Sequence, residues 1–257
     1  MVILYKPEEI VILKEGGVLL SAVLAEVAAM VSTAVTPKDL DAHAERRIRE
    51  LGGEPSFLGY RTSRRDPPFP STVCISLDEE VVHAPATGRP IREGMLVKLD
   101  IGMRYKGLCT DMATTVAVGR ITDEKRRLMA ATREALDIAI EKCAPGNWIS
   151  DIGKAVDKHV RRAGFCTVKD LVGHGVGRHV HEDPPVPNYF DATVRPLRLA
   201  PGMVLALEPM VNAGRPDVDV KDDAWTVFAS DMRPSAHFEA TVAVTEDGPL
   251  IVTPIVG

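Results

Sequence analysis

At 257 residues, 45% hydrophobic and 26% charged, the chain has enough apolar material for a large soluble core, as one big domain or two small ones. A formal net charge of −5 argues against nucleic acid as the main partner, and the basic patch Arg61 to Arg65 is too short to reverse this. Four cysteines (Cys74, Cys109, Cys143 and Cys166) form no CxxC pair, and no secretory signal is visible, so reduced thiols in a cytoplasm are expected.

Pro7 to about Ser32 reads as a long helix with Gly16 and Gly17 as weak points. Its stretch Gly17 to Val35 is apolar, but Glu26 in mid-run and the hydroxyls of Ser21, Ser32 and Thr33 favour a buried helix over a membrane span. Thr36-Pro37 is a helix start, with a capping hydroxyl followed by proline at the first helical position. Leu40, Ala44, Ile48 and Leu51 then share a face, and Gly52 is the stop. Glu54 to Pro70 reads as loop, and Val73 to Ile75 and Glu80 to Val82 as extended segments with His83 just beyond.

Glu93 to Thr115 reads as two strands joined at a tight turn, with Leu96 to Leu99 leading in and Thr114 to Val118 leading out. A two-residue turn at Tyr105-Lys106 sets Asp100 directly opposite Asp111. Facing like charges are destabilising, and a divalent cation between them resolves the conflict. A solvated hairpin with two surface aspartates is the competing reading of this segment alone.

Thr122-Asp123 opens a helix to about Cys143, and Ser150-Asp151 another, with Ile152, Val156 and Val160 on one face and Gly164 at its end. Leu171 to His181, a proline-rich DPPVPN passage and a strand Met203 to Glu208 follow, with a last strand pair over Phe238 to Val244 and Leu250 to Thr253. This order contains a repeat. Gly94 to Asp100 matches Gly202 to Glu208 at an offset of 108 residues, and Leu40, Ala44, Ile48, Gly52 match Ile152, Val156, Val160, Gly164 at an offset of 112. Two duplicated halves around a pseudo-twofold axis would bring Asp100 and Glu208 to a shared cleft. Glycines around His174 (Gly173 to Arg178) argue for a close backbone approach, and His181 lies seven residues on.

Asp100, Asp111, His174, Glu208 and Glu239 together resemble the five-ligand set of the pita-bread metallopeptidases. PSFLGY (Pro55–Tyr60), GHGVGR (Gly173–Arg178), HEDPPVPN (His181–Asn188), APGMVLALEPM (Ala200–Met210), DDAWTV (Asp222–Val227) and FEATVAVTEDG (Phe238–Gly248) are similar to type I methionine aminopeptidases over nearly the whole chain. The resemblance implies an α+β pita-bread fold: one catalytic domain over 1–257, with internal halves about 7–120 and 121–253 and helices outside a curved antiparallel sheet. Prolidases and aminopeptidases P carry an extra N-terminal domain for which there is no room before Pro7. Type II enzymes carry an insertion for which His181 to Glu208 is too short.

By the same resemblance, two divalent ions (Co, Mn, Fe or Zn) are bridged by Asp111 and Glu239. Asp100 holds one of them, and His174 and Glu208 the other. Hydroxide shared by the ions attacks the scissile carbonyl, Glu208 shuttles a proton to the leaving amine, and His83 and His181 bond the scissile amide. Tyr60, Phe69, Cys74 and Trp225 line a pocket for methionine, with His83 at its edge. The implied substrates are nascent polypeptide N-termini, met by a cytoplasmic monomer in transient contact with the ribosome, without nucleic acid or membrane. The departures are Ala84-Pro85-Ala86 after His83, Ala240 after Glu239, a long passage Arg61 to Pro68, and Val180 where an aromatic is common. They bear on pocket shape. An X-Pro or short-peptide aminopeptidase and a non-catalytic module of the same fold are the alternative readings.

Overall fold

A computed structural model describes residues 2–63 and 67–257. The basic patch and the long passage Arg61 to Pro68 include residues 64–66, which lie outside the described residues. The elements run α1 (Pro7–Met30), α2 (Pro37–Glu50), β1 (Glu54–Pro55), β2 (Val73–Leu77), β3 (Glu80–Val82), β4 (Leu96–Tyr105), β5 (Leu108–Ala117), α3 (Asp123–Lys142) and α4 (Ile149–Arg162). They continue with β6 (Cys166–Thr167), β7 (Gly173–Gly175), β8 (Glu182–Val186), β9 (Val204–Leu207), β10 (Met210–Asn212), β11 (Val218–Val220), β12 (Val227–Ala229), β13 (Ser235–His237), β14 (Glu239–Thr245) and β15 (Gly248–Ile251).

Local chemistry explains most of the boundaries. Asp39 Oδ2 accepts from the backbone N–H of Thr36 at 2.8 Å, and Pro37 opens α2. Gly52 and Gly164 end α2 and α4 in the left-handed region, with φ of 78° and 87°. Helix α4 starts at Ile149, ahead of the expected Ser150, because Asp151 Oδ2 reaches back to accept the Trp148 N–H at 3.0 Å. Among the described residues no helix is long and apolar enough to cross a membrane, and α1 is a packed helix.

Nine antiparallel strands form the main sheet, in the order β1-β4-β5-β14-β9-β7-β8, with β2 also paired to β4 and β15 to β14. Strand alternation divides its faces. Leu99, Ile101 and Met103 of β4 and Met112 of β5 pack against Leu20, Leu24, Leu40 and Ile48 of α1 and α2. Leu205 and Leu207 of β9 and Ala240 and Val242 of β14 pack against Leu128, Leu136, Val156 and Val160 of α3 and α4. Two helix pairs thus cover one side of the sheet, the layering of the pita-bread fold. The residues between these apolar ones, Asp100, Asp111 and Glu239 among them, face the other way.

The β4–β5 hairpin corrects the expected register. Its turn is Lys106-Gly107, with φ of 49° and 85°, so Tyr105 pairs with Leu108. A mirror-image two-residue turn requires positive φ at both central positions, and Lys-Gly meets this better than Tyr-Lys. Asp100 therefore faces Ala113, and Asp111 faces Gly102. The partners shift by two residues, a full strand period, so the two aspartates keep a common face but stand diagonally rather than opposed.

Two segments read as irregular are strands, β1 within the Glu54 to Pro70 loop and β8 within the proline-rich passage. Strand β8 closes one end of the sheet order, where prolines remove no ladder bond. Gly17, read as a weak point of α1, is a contact. A Cβ there would fall inside the van der Waals radius of the Val252 carbonyl oxygen. Gly17→Ala should therefore lower the unfolding free energy by about 1–3 kcal/mol, seen as a lower urea midpoint at unchanged slope; equal midpoints in equilibrium unfolding would show that the helix can move aside freely.

Candidate metal centre

Register fixes where the carboxylates meet. Asp100 of β4 pairs with Ala113 of β5, and Ala113 pairs with Glu239 of β14. One row across three strands thus carries an acid at each end and a methyl group between. Asp111 lies two residues along β5 on the same face. Thr241 holds it there: its Oγ1 accepts the Asp111 N–H at 3.0 Å and donates to the Asp111 carbonyl at 2.7 Å, stitching β5 to β14 where their ladder ends. Glu208 leaves the end of β9, the neighbour of β14, and Asn188 donates to its carbonyl at 2.9 Å. His174 comes from β7, whose glycines allow close packing. Its Nδ1 bonds the Gly175 carbonyl at 2.9 Å, which leaves Nε2 free to face Glu208 Oε1 at 3.4 Å.

These side chains form overlapping groups whose ligand atoms lie within 4.8 Å of one another: Asp100, Asp111, Glu239; His174, Glu208, Glu239; and Asp111, His174, His181. Asp111, His174 and Glu239 each belong to two groups. Asp100, Asp111 and Glu239 are buried, and Asp100 Oδ1 and Glu239 Oε1 have no hydrogen-bond partner. Among the described residues no lysine or arginine pairs with any of the four acids; their nearest cationic candidates are His174 and His237. A hard divalent ion, which takes carboxylate oxygen and imidazole nitrogen together, fits this donor set.

Two further histidines border the acids. His83, just beyond β3, holds a left-handed backbone with φ of 59°, a strained conformation for a side chain of its size. His181 stands at the solvent-accessible mouth, its Nδ1 at 2.8 Å from the Tyr60 hydroxyl and its ring edge-on to His174 at 4.5 Å. Both line a cavity of about 690 Å³ that has the acids at one end.

Much of the rest of that cavity is apolar. Phe69, Cys74, Tyr60 and Trp225 form one cluster, with Phe69 and Trp225 edge-to-face at 5.2 Å. Cys74 pairs with Asp100 in the β2–β4 ladder, so the thiol stands beside the carboxylate. Phe57 and Val180 complete the cluster. Phe57 went unassigned in the sequence although it sits inside PSFLGY; it packs over Gly102, where a Cβ would lie 2.8 Å from its ring. His179 is exposed and does not face the acids, whereas His237 is fully buried against them. His43 and His159, which sit among charged residues in the sequence, are half-buried, His43 against Glu26 at 2.9 Å and His159 near the Ala131 carbonyl at 3.2 Å.

A model of metallopeptidase family M24 matches residues 12–246. The chain belongs to metallopeptidase family M24. It is 39% identical to methionine aminopeptidase 1 of Bacillus subtilis over 98% of this chain and 99% of that one. It is 40% identical to the methionine aminopeptidase of Aquifex aeolicus over 97% and 98%. Its fold superposes on the crystal structure of methionine aminopeptidase from Thermotoga maritima with a TM-score of 0.92, at 36% identity over 98% of this chain and 99% of that one. Prolidase from Pyrococcus furiosus shares the fold alone, with a TM-score of 0.78 at 21% identity over 99% of this chain and 66% of that one.

M24 membership implies divalent metal, and the electrostatics of the M24 centre agree. Burial pushes the Asp100 carboxyl up to about 7. Burial first, and then repulsion from neighbouring acids, raises Asp111, Glu208 and Glu239 well above the ordinary carboxylate range. Burial, reinforced by neighbouring histidines, lowers His174 to about 3 and His83 to about 4, so the imidazoles are neutral. The signs of the two sets oppose one another in the metal-free fold. The acids' contribution to stability is full below their unfolded values and is lost as pH rises through about 7 for Asp100. The histidines' contribution is present above about 6.5 and lost as pH falls toward 3–4. For metal uptake above pH 6 the acids set the sign, since a cation displaces protons from the raised carboxyls while the imidazoles are already neutral. Manganese affinity should therefore rise from pH 6 to pH 8 with net proton release, read by calorimetry in buffers of different ionisation enthalpy; pH-independent uptake would contradict this electrostatic account.

Proposed function

We propose that this chain is a metal-dependent aminopeptidase that removes the N-terminal methionine of nascent polypeptides. One observation supports it above the others: three overlapping ligand groups, linked through Asp111, His174 and Glu239, line a cavity that also holds an aromatic cluster. In this reading two divalent ions occupy the centre. Asp100, Asp111, His174, Glu208 and Glu239 would hold them. Donors of mixed oxygen and nitrogen suit Mn, Fe, Co or Zn. Bound there, the metal supplies an acidified water and an electrophile for the scissile carbonyl.

The chain's own groups do the rest. Phe57, Tyr60, Phe69, Cys74 and Trp225 enclose an unbranched apolar side chain and exclude water from it. His83 and His181, neutral and on the rim, donate to and accept from the scissile amide. Glu208, raised in pKa and beside His174, carries a proton to the leaving amine. The reading carries with it a cytoplasmic monomer and a passing encounter with the ribosome, both following from the substrate. A preference for X-Pro substrates would need a different pocket from this narrow aromatic one. A non-catalytic module would not need to keep all five ligands and both histidines.

With manganese or cobalt supplied, Met-Ala-Ser should be cleaved at least about 10- to 200-fold faster than Leu-Ala-Ser in kcat/KM, the discrimination one misplaced methyl group supports. Ala-Pro should not be cleaved. Asp111→Asn should remove metal-dependent hydrolysis, and His181→Ala should lower kcat by about 10²- to 10⁴-fold. Equal rates on the three peptides would favour a peptidase of other specificity. No hydrolysis by a metal-loaded wild type would favour the binding module.

A further inference from the structure

Two glutamates of the centre each turn one oxygen toward a side chain that none of the roles above uses. His237 ends β13, is fully buried, and has no hydrogen-bond partner on either ring nitrogen. Its Nε2 stands 3.9 Å from Glu208 Oε2 and 3.8 Å from Glu239 Oε2, about 1 Å beyond hydrogen-bond length. The opposite oxygens point elsewhere: Glu208 Oε1 lies 3.4 Å from His174 Nε2, and Glu239 Oε1 is buried without a partner. The backbone of His237 is fixed. Its N–H donates to Thr115 Oγ1 at 3.0 Å, its carbonyl accepts from the same hydroxyl at 2.6 Å, and β13 is laddered to Met210. The backbone that carries the ring is therefore held in place.

A buried imidazole with neither nitrogen satisfied weakens a metal-free fold, so packing does not account for this histidine. We propose that His237 is a positioning residue for the metal centre: its ring N–H serves the Oε2 atoms of Glu208 and Glu239 in the loaded protein and leaves their Oε1 atoms for the ion. This rests on the reading of the centre given above. The same argument gives a sign that a structural role would not. Replacing His237 with an apolar side chain of similar size should relieve the metal-free fold and impair the loaded one.

The test uses full-length protein stripped of metal, with manganese alone titrated by calorimetry into the wild type, His237→Leu and His237→Gln. His237→Leu should bind manganese about 10- to 100-fold more weakly. His237→Gln, which keeps an N–H donor, should stay within a few-fold of the wild type. Metal-free His237→Leu should unfold at the same or a higher temperature than the wild type. The proposal is overturned if His237→Leu binds manganese as the wild type does, if His237→Gln is as weak as His237→Leu, or if metal-free His237→Leu is less stable or fails to fold. A wild type that takes up no manganese would overturn the reading of the centre as well.

Discussion

Four carboxylates share one face of the sheet, and among the described residues no lysine or arginine pairs with any of them; the fold is arranged around that crowding. In water such a cluster would be spread apart or protonated. Here antiparallel register forces it together. The Asp100–Ala113–Glu239 row is set by ladder pairing across three strands, and Asp111 is fastened by the Thr241 hydroxyl. Four packed helices behind the sheet keep those strands from separating. The backbone thus holds the acids close before any ion arrives, and their repulsion is relieved by protons or by a cation.

The unsatisfied atoms support the same view. Asp100 Oδ1, Glu239 Oε1 and both ring nitrogens of His237 are buried without partners, and they gather at one place. Such groups cost the metal-free fold about 1–3 kcal/mol each. Glu80, equally buried, shows the contrast: Lys221 meets it at 2.6 Å, Arg89 grips it with both guanidinium nitrogens, and its pKa falls despite burial. A structural acid in this protein receives cationic side chains. The acids of the centre do not, which separates a site from a core ion pair on physical grounds.

Much of this was legible in the chain itself. Alternation along β4 put Asp100 among apolar residues, helix caps and glycine stops placed α2, α3 and α4, and all five candidate ligands converge. What stayed hidden depends on long-range pairing. The sequence offered Tyr105-Lys106 as the turn, where Lys106-Gly107 forms it. The error moved each partner by one full strand period, so the shared face survived. β8 looked like a proline-broken passage because nothing local says that it will lie at the sheet's edge. Phe57 could have been assigned from PSFLGY, but its contact with Gly102 joins segments far apart in the chain. His237 and His179 both flank the site in sequence; what sets His237 apart is its burial against the acids without partners, which only the folded neighbourhood shows.

The account's central claim is that these acids and His174 hold metal jointly, and anomalous diffraction from crystals grown with manganese tests it most directly. The account predicts two manganese peaks enclosed by Asp100, Asp111, His174, Glu208 and Glu239, with Asp111 and Glu239 in contact with both. A map with no anomalous peak among these residues, or with the four acids turned away to other partners, would contradict it.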